Sequence, residues 1–190
     1  FGGHANTIKV AYKPNKEIPI DIGFMVFNKQ TYPNLINFFS ENKIEIEKSD
    51  MSFSVTVENS DLEYCGKGLG GIFSNKKNLF NPKFLKMFFE ILSFYKNCEK
   101  IEIKKISSIT LGEYLKEIKI SGYFINYHII PMVSAIWSMP PYEAKQMPLS
   151  FFLSFFKNHG LFKIKDRPQW FTVANRSKTY VDKIIGQVSG

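Results

Sequence analysis

A mixed α and β fold is expected, with strands ahead of a series of aromatic helices. Apolar and polar residues alternate over 8–12 and 18–21, and again through Ile44, Ile46, Met51, Phe53, Val55 and Val57, the period of half-buried strands. Beyond Asn81 the apolar spacing becomes helical and phenylalanine is concentrated. Glycines punctuate the early part, at Gly2-Gly3, Gly23, Gly66, Gly68 and Gly70-Gly71. The sequence shows no internal repeat and no low-complexity run.

Each element has a local reason. Lys13-Pro14-Asn15-Lys16 suits a bend between the first two strands, so a hairpin is predicted. Thr31 is expected to cap a helix through about Glu41, with Pro33 in its first turn and Leu35, Phe38 and Phe39 on one face. Asn59-Ser60-Asp61 would turn the strand ending at Val57 into Leu62-Glu63-Tyr64, an antiparallel pair. The glycines from Gly66 to Gly71 lack the strand–loop–helix spacing of a phosphate cradle, and a flexible surface loop is expected there. Asn81 and Pro82 open a helix to about Asn97, and Thr110 with Glu113 forms a capping box for another. A helix from Gly122 toward Ile130 is expected to stop at Pro131, and the last of the aromatic helices covers 149–158, ended by His159 and Gly160.

Composition excludes several classes. The 190 residues are 44% hydrophobic and 22% charged, enough for one good core or two small ones. The weakly polar run at 129–139 is far shorter than the roughly 20 apolar residues of a spanning helix, so no transmembrane segment is expected. Formal charge is +8, yet the only arginines among the 25 basic residues are Arg167 and Arg176, and the lysines are scattered, so nucleic-acid binding is not expected. Cys65 and Cys98 stand apart from each other and from His4, His128 and His159, which argues against a metal site and for reduced, cytoplasmic cysteines.

The start carries the chemistry. Gly2-Gly3-His4-Ala5-Asn6-Thr7, then 18–24 ending in Asp21-Ile22-Gly23-Phe24, place a small-residue turn, a hairpin and a further glycine close together. Such a turn lets backbone amides approach a pyrophosphate or ribityl chain. Asp21 ends an apolar strand just before Gly23 and serves either a structural hydrogen bond to nearby backbone or a contact beside a cofactor. Asp50 and Glu63 read as solvated acids, and Tyr64, Trp137 and Met139 as core or as pocket lining.

These residues resemble the flavin-containing amine oxidoreductase superfamily, in which Gly2-Gly3-His4 looks like the second glycine motif of the FAD domain. The closer likeness is to a bacterial branch described as predicted NAD/FAD-binding proteins, related to a flavoprotein-like domain fused to plant cyclopropane fatty acid synthases. It runs through 21–28, 31–35, 49–53, 62–64, 136–140, 158–161, 167–170 and 179–181. The resemblance implies an α/β fold with an α+β insertion: a partial Rossmann-like FAD/NAD(P)-binding domain at 1–40, a substrate domain of antiparallel strands and helices at 41–166, and a return segment at 167–190 braced by Arg167 and Trp170. It implies an internal piece of a longer chain, with the first G-x-G-x-x-G outside it and Asn175-Arg176 where many relatives carry small glycines.

The activity implied is that of an FAD-dependent oxidoreductase oxidising or desaturating an apolar, fatty-acyl or other small-molecule substrate by hydride transfer to flavin. Gly2, Gly3, His4, Asn6, Thr7, Asp21, Gly23 and Phe24 would contact FAD, the bare Gly23 leaving room for a planar ring, and Asn28, Tyr64, Trp137 and Met139 would line the substrate site. No catalytic acid or base is assigned and no metal is implied. The Phe-rich helices around Phe88 and Phe155 either wall an acyl-sized cavity or simply pack a core. The alternative is a non-catalytic flavin-fold protein presenting a lipid to a partner methyltransferase, and peripheral membrane contact is compatible with both.

Overall fold

The computed structural model describes residues 1–106, 108–163 and 166–188, and is mixed α and β with small antiparallel sheets. The chain divides into two compact units, Phe1–Met51 together with the segment from Pro168 onward, and Ser52–Arg167.

In the first unit, strands β1 (Thr7–Lys13) and β2 (Lys16–Asp21) form the hairpin, in register Ile8 to Ile20 and Val10 to Ile18. Asn15 at its tip takes a positive φ, which asparagine tolerates. Strand β3 (Phe27–Asn28) and helix α1 (Pro33–Glu41) follow, then strand β4 (Ile46–Ser49). Thr31 does not cap α1: Tyr32 holds that position, and the Asn28 carboxamide oxygen instead accepts from the Gln30 and Thr31 amides at 3.0 and 2.9 Å. Strand β7 (Trp170–Val173) lies between β3 and β4, antiparallel to both, and helix α9 (Ser177–Val188) follows it. Phe27, Phe39 and Val173 form the buried core of this unit. The division therefore falls after Met51 and not near Ser40: β4 is held by β7, so the alternating run at 44–57 is two strands belonging to different units.

In the second unit, β5 (Ser54–Thr56) pairs with β6 (Glu63–Cys65) across the expected turn. The glycine segment is not a loop throughout, since Gly68–Ile72 winds into one helical turn, α2, followed by a 3₁₀ turn at Lys76–Phe80. Helix α3 (Pro82–Lys100) is capped by Asn81, whose Oδ1 accepts from the Lys83 and Phe84 amides at 3.0 and 3.2 Å. Asn81→Ala is expected to lower stability by about 1 kcal/mol in urea unfolding, because two first-turn amides lose their acceptor. Helix α4 (Leu111–Glu117) opens with the full capping box of Thr110 and Glu113.

Pro131 does not end the next helix. Helix α5 (Gly122–Phe124) runs through a π turn (Ile125–Ile129) into α6 (Ile130–Trp137), with the Ile130 amide bonded to the Ile125 carbonyl. A proline inside a helix has no amide for the carbonyl four residues back, here that of Tyr127. That carbonyl instead accepts from the Tyr64 hydroxyl at 2.8 Å. After α7 (Pro141–Gln146), helix α8 (Leu149–Asn158) closes in a Schellman motif, the Leu161 amide reaching the Phe156 carbonyl at 2.8 Å and the Gly160 amide that of Lys157 at 3.1 Å. Phe84 and Phe94 of α3 and Phe152 and Phe156 of α8 are buried in one core, Phe94 and Phe152 with ring centroids 6.3 Å apart. No helix among the described residues is long and apolar enough to cross a membrane.

Candidate functional site

The residues expected to hold a cofactor are brought together in the first unit. Gly2 and Gly3 both adopt positive φ, +83° and +53°, and the Ala5 amide closes the turn on the Gly2 carbonyl at 2.9 Å. The ladder of the hairpin then continues past its strands: the Ile22 amide bonds the Asn6 carbonyl at 3.0 Å, and the Phe24 amide that of His4 at 2.7 Å. His4–Thr7 thus lies alongside Asp21–Phe24, and the turn lies at the end of that ribbon. At Gly3 a side chain would meet nothing within 4 Å, so this face of the turn is open.

Asp21 and Thr7 serve the helix behind. The Asp21 carboxylate accepts from the Ser177 amide at 3.1 Å, the Ser177 hydroxyl at 2.9 Å and the Thr7 hydroxyl at 2.6 Å. Thr7 Oγ1 in turn accepts from the Lys178 amide at 3.0 Å. The first amides of α9 are therefore satisfied by the hairpin, and the carboxylate faces the positive end of the helix dipole. Asp21 thus makes a structural hydrogen bond, but to backbone 156 positions away and not to the nearby backbone that was expected. The turn before α9 carries Asn175 and Arg176 at φ of 62° and 80°, values that glycine adopts freely. Arg176 Nε donates to the Pro19 carbonyl at 3.0 Å, which helps hold that conformation.

Whether these residues fit a flavin dinucleotide differs from place to place. The room expected at Gly23 is taken by the chain itself, since a Cβ there would lie 2.1 Å from the His4 carbonyl oxygen, so the bare glycine accommodates a strand and not a ring. The first α9 amides are likewise engaged. The open Gly3 turn does fit an extended phosphate or ribityl chain. A second point of fit lies at Asn28, which is fully buried. Its Nδ2 and the Thr31 Oγ1 are buried without a hydrogen-bond partner among the described residues. Interiors rarely leave such atoms unpaired, and a pair three residues apart is what a polar ligand edge would satisfy. From sequence Thr31 is expected only as a cap; Asn28 ahead of the helix, a residue type that forms an Asx turn with the amide two positions on, was the available signal for this local fold.

In the second unit, Tyr64 is one end of a buried chain that sequence reasoning did not assemble. Its hydroxyl lies 2.9 Å from His128 Nδ1, and His128 Nε2 lies 2.9 Å from the Tyr95 hydroxyl. Because Tyr64 donates to the Tyr127 carbonyl, it accepts from Nδ1–H, leaving Nε2 to accept from Tyr95. Burial drives the imidazole down to about 3 and raises both tyrosines, so the chain is neutral at physiological pH. The signal for His128 was Pro131 inside a helical pattern, which frees a carbonyl next to it. Trp137 lies elsewhere, on a half-buried aromatic face where it contacts Phe155 and Phe151 at 4.6 and 5.6 Å between centroids, and Met139 is partly buried against the same core. Tyr64 is thus in the interior, whereas Trp137 is partly accessible.

A cleft of about 280 Å³ is lined by Thr110, Gly112, Glu113, Lys116, Ile125 and Lys145 among others, and one of about 210 Å³ by Glu99, Phe156, Lys157 and Phe162 among others. Neither includes an expected substrate residue. Asp50 and Glu63 are exposed. Arg167 Nε donates to the Lys163 carbonyl at 2.7 Å within the second unit, and Trp170 is buried in β7. Cys98 is buried, its thiol pushed up to about 12, and Cys65 and Cys98 are both free. No cluster of metal-ligating side chains occurs among the described residues. Neither the models of known protein families nor the curated proteins contain a match to this chain.

Proposed function

We propose that the chain is part of an FAD-dependent oxidoreductase acting on an apolar substrate, its first unit a portion of a Rossmann-like FAD-binding domain and its second the substrate domain, working in the cytoplasm. The observation that carries the reading is the diglycine turn, open on its Gly3 face, at the head of the same ribbon of chain that leads, through Phe24, to the unpaired polar atoms of Asn28 and Thr31. Gly2, Gly3 and His4 would hold the dinucleotide backbone by main-chain donors, and Asn28 and Thr31 would meet a polar ring edge. Asn6, Thr7, Asp21, Gly23 and Phe24 would position that turn and not touch the cofactor. Bound flavin supplies the hydride acceptor. The chain's own part is to orient and to exclude water, and the Trp137–Phe155 face offers an apolar wall for a substrate of fatty-acyl character.

The test uses the full gene product, purified gently. A yellow protein is expected, whose flavin absorbance bleaches anaerobically with an apolar substrate; a colourless product that binds no added FAD would sink the reading. Thr31→Val separates ligand binding from folding. It removes an unpaired hydroxyl at nearly constant shape, so thermal stability of the flavin-free protein is expected to stay level or rise by about 1 kcal/mol while flavin occupancy falls.

A further inference from the structure

The start of α3 carries an apolar tip that the core does not use. Asn81 is the N-cap, so Phe80 occupies the position before it, from which an apolar side chain ordinarily folds onto the residue equivalent to Leu85. Phe80 is instead 86% exposed, and its neighbour Leu79 is exposed with it. Two turns along α3, on the stripe of Pro82 and Leu85, Phe89 is 65% exposed. Its neighbour Phe88 turns inward to Phe73, with centroids 5.5 Å apart, so the outward ring of Phe89 is not required to fill the core.

The segment that carries this tip is predominantly basic, although the exposed Asp61 and the backbone of Glu63 lie against its 75–78 turn. Residues 66–97 contain Lys67, Lys76, Lys77, Lys83, Lys86 and Lys96 against the single acid Glu90, which accounts for +5 of the chain's +8. Glu90 is turned inward, its carboxylate accepting from the Ser121 amide at 3.0 Å, and its side chain is 17% exposed. Lys77 pairs with Asp61 at 2.8 Å and Lys86 lies 4.0 Å from Glu90, while the Lys83 side chain and the two-thirds-exposed Lys86 rise from the same helical turns as the apolar stripe.

We infer that this tip docks on an anionic lipid bilayer, with Leu79, Phe80 and Phe89 entering the headgroup region and Lys76, Lys83 and Lys86 meeting lipid phosphates. The surface is the start of α3 and the turn before it, and none of its residues lines either of the two clefts. A bilayer demands no matching shape; it requires apolar side chains and cations together, because one signal alone binds only marginally. The inference concerns the second unit alone and does not depend on the cofactor reading.

The test is co-sedimentation of the full chain with vesicles of equal parts phosphatidylglycerol and phosphatidylcholine, and with phosphatidylcholine vesicles alone. Binding is expected only to the anionic vesicles, and it should weaken strongly between about 0.1 M and about 0.5 M salt. Leu79→Ser with Phe80→Ser should lower partitioning roughly tenfold or more. Lys83→Glu with Lys86→Glu should lower it at least about fivefold per lysine. The same charge change placed at Lys48 and Lys145 should leave it within about twofold. Circular dichroism of each variant, expected to match the parent, guards against misfolding. Absence of binding to anionic vesicles, equal binding to neutral ones, or binding indifferent to the tip variants would overturn the inference.

Discussion

Acidification from pH 7 to pH 5 is expected to remove about 2 kcal/mol of stability through His128 alone, rising to about 4 kcal/mol at pH 3.5. The imidazole is 5% exposed and hydrogen-bonded to two tyrosines, and burial depresses it from the ordinary 6.5 to about 3. A folded value below the unfolded one means that between those two values the unfolded chain binds the extra proton. Stability is complete above about pH 6.5 and is lost progressively as pH falls toward the folded value. The groups that face the ring cannot rescue it. Tyr64 and Tyr95 remain neutral throughout this range, and once Nε2 carries a proton Tyr95 must turn its own hydrogen to Met132 Sδ, a weak acceptor 3.7 Å away.

Urea titrations at several pH values measure the effect, with His128→Gln as reference. Glutamine keeps a donor and an acceptor but does not titrate in this window, so the variant starts less stable and shows a shallower decline with acid. Protonation of surface carboxylates contributes equally to both proteins and cancels in the difference. Parallel pH profiles for the two would show that the imidazole is not the acid-sensitive group.

Gly23→Ala is expected to cost about 3 kcal/mol, at the upper end of overpacking, while Gly3→Ala costs about 1 kcal/mol. The two glycines are close in space and different in cause. At Gly23 the added carbon would lie 2.1 Å from a backbone oxygen already bonded to the Phe24 amide, so relief requires the His4–Thr7 ribbon to move off Asp21–Phe24. At Gly3 the added carbon meets nothing, and the only penalty is the positive φ of +53°. Under the proposed function their effects on flavin reverse in order. Gly3→Ala places a methyl group on the open face of the turn and should lower flavin affinity in a protein that remains folded, whereas Gly23→Ala should lose flavin only in proportion to lost structure. Paired melting curves and flavin titrations distinguish the two; equal stability losses would contradict the contact at His4.

Much of the local structure was legible because its causes lie within a few residues. The Asn81-Pro82 start and the Thr110–Glu113 capping box each depend on a side chain and an amide two or three positions apart, and the Lys13–Lys16 bend and the His159-Gly160 stop depend on the positive φ that Asn15 and Gly160 adopt. The gathering of the candidate cofactor residues at one end of the hairpin was also readable, since β1 and β2 are joined by a tight turn. What each residue does there was not readable. Gly23, which the resemblance gives to a planar ring, serves a carbonyl, and Thr31, expected as a cap, leaves that position to Tyr32 while its own amide is taken by Asn28.

By itself, then, the sequence determined the first hairpin, the turn between β5 and β6, the extents of α3, α4 and α8, and the expectation, met among the described residues, of no helix fit to cross a membrane. Only the tertiary structure decided that β7 enters between β3 and β4, and which polar groups meet, as Asp21 meets Ser177 across 156 positions and Tyr64 meets His128 across 64. Alternation states that a strand has a buried face but not what covers it, and a helix-interrupting proline frees a carbonyl without naming its new donor. Those partners are selected by packing of segments far apart in the chain, where the requirement that buried polar groups be satisfied acts on the whole unit at once.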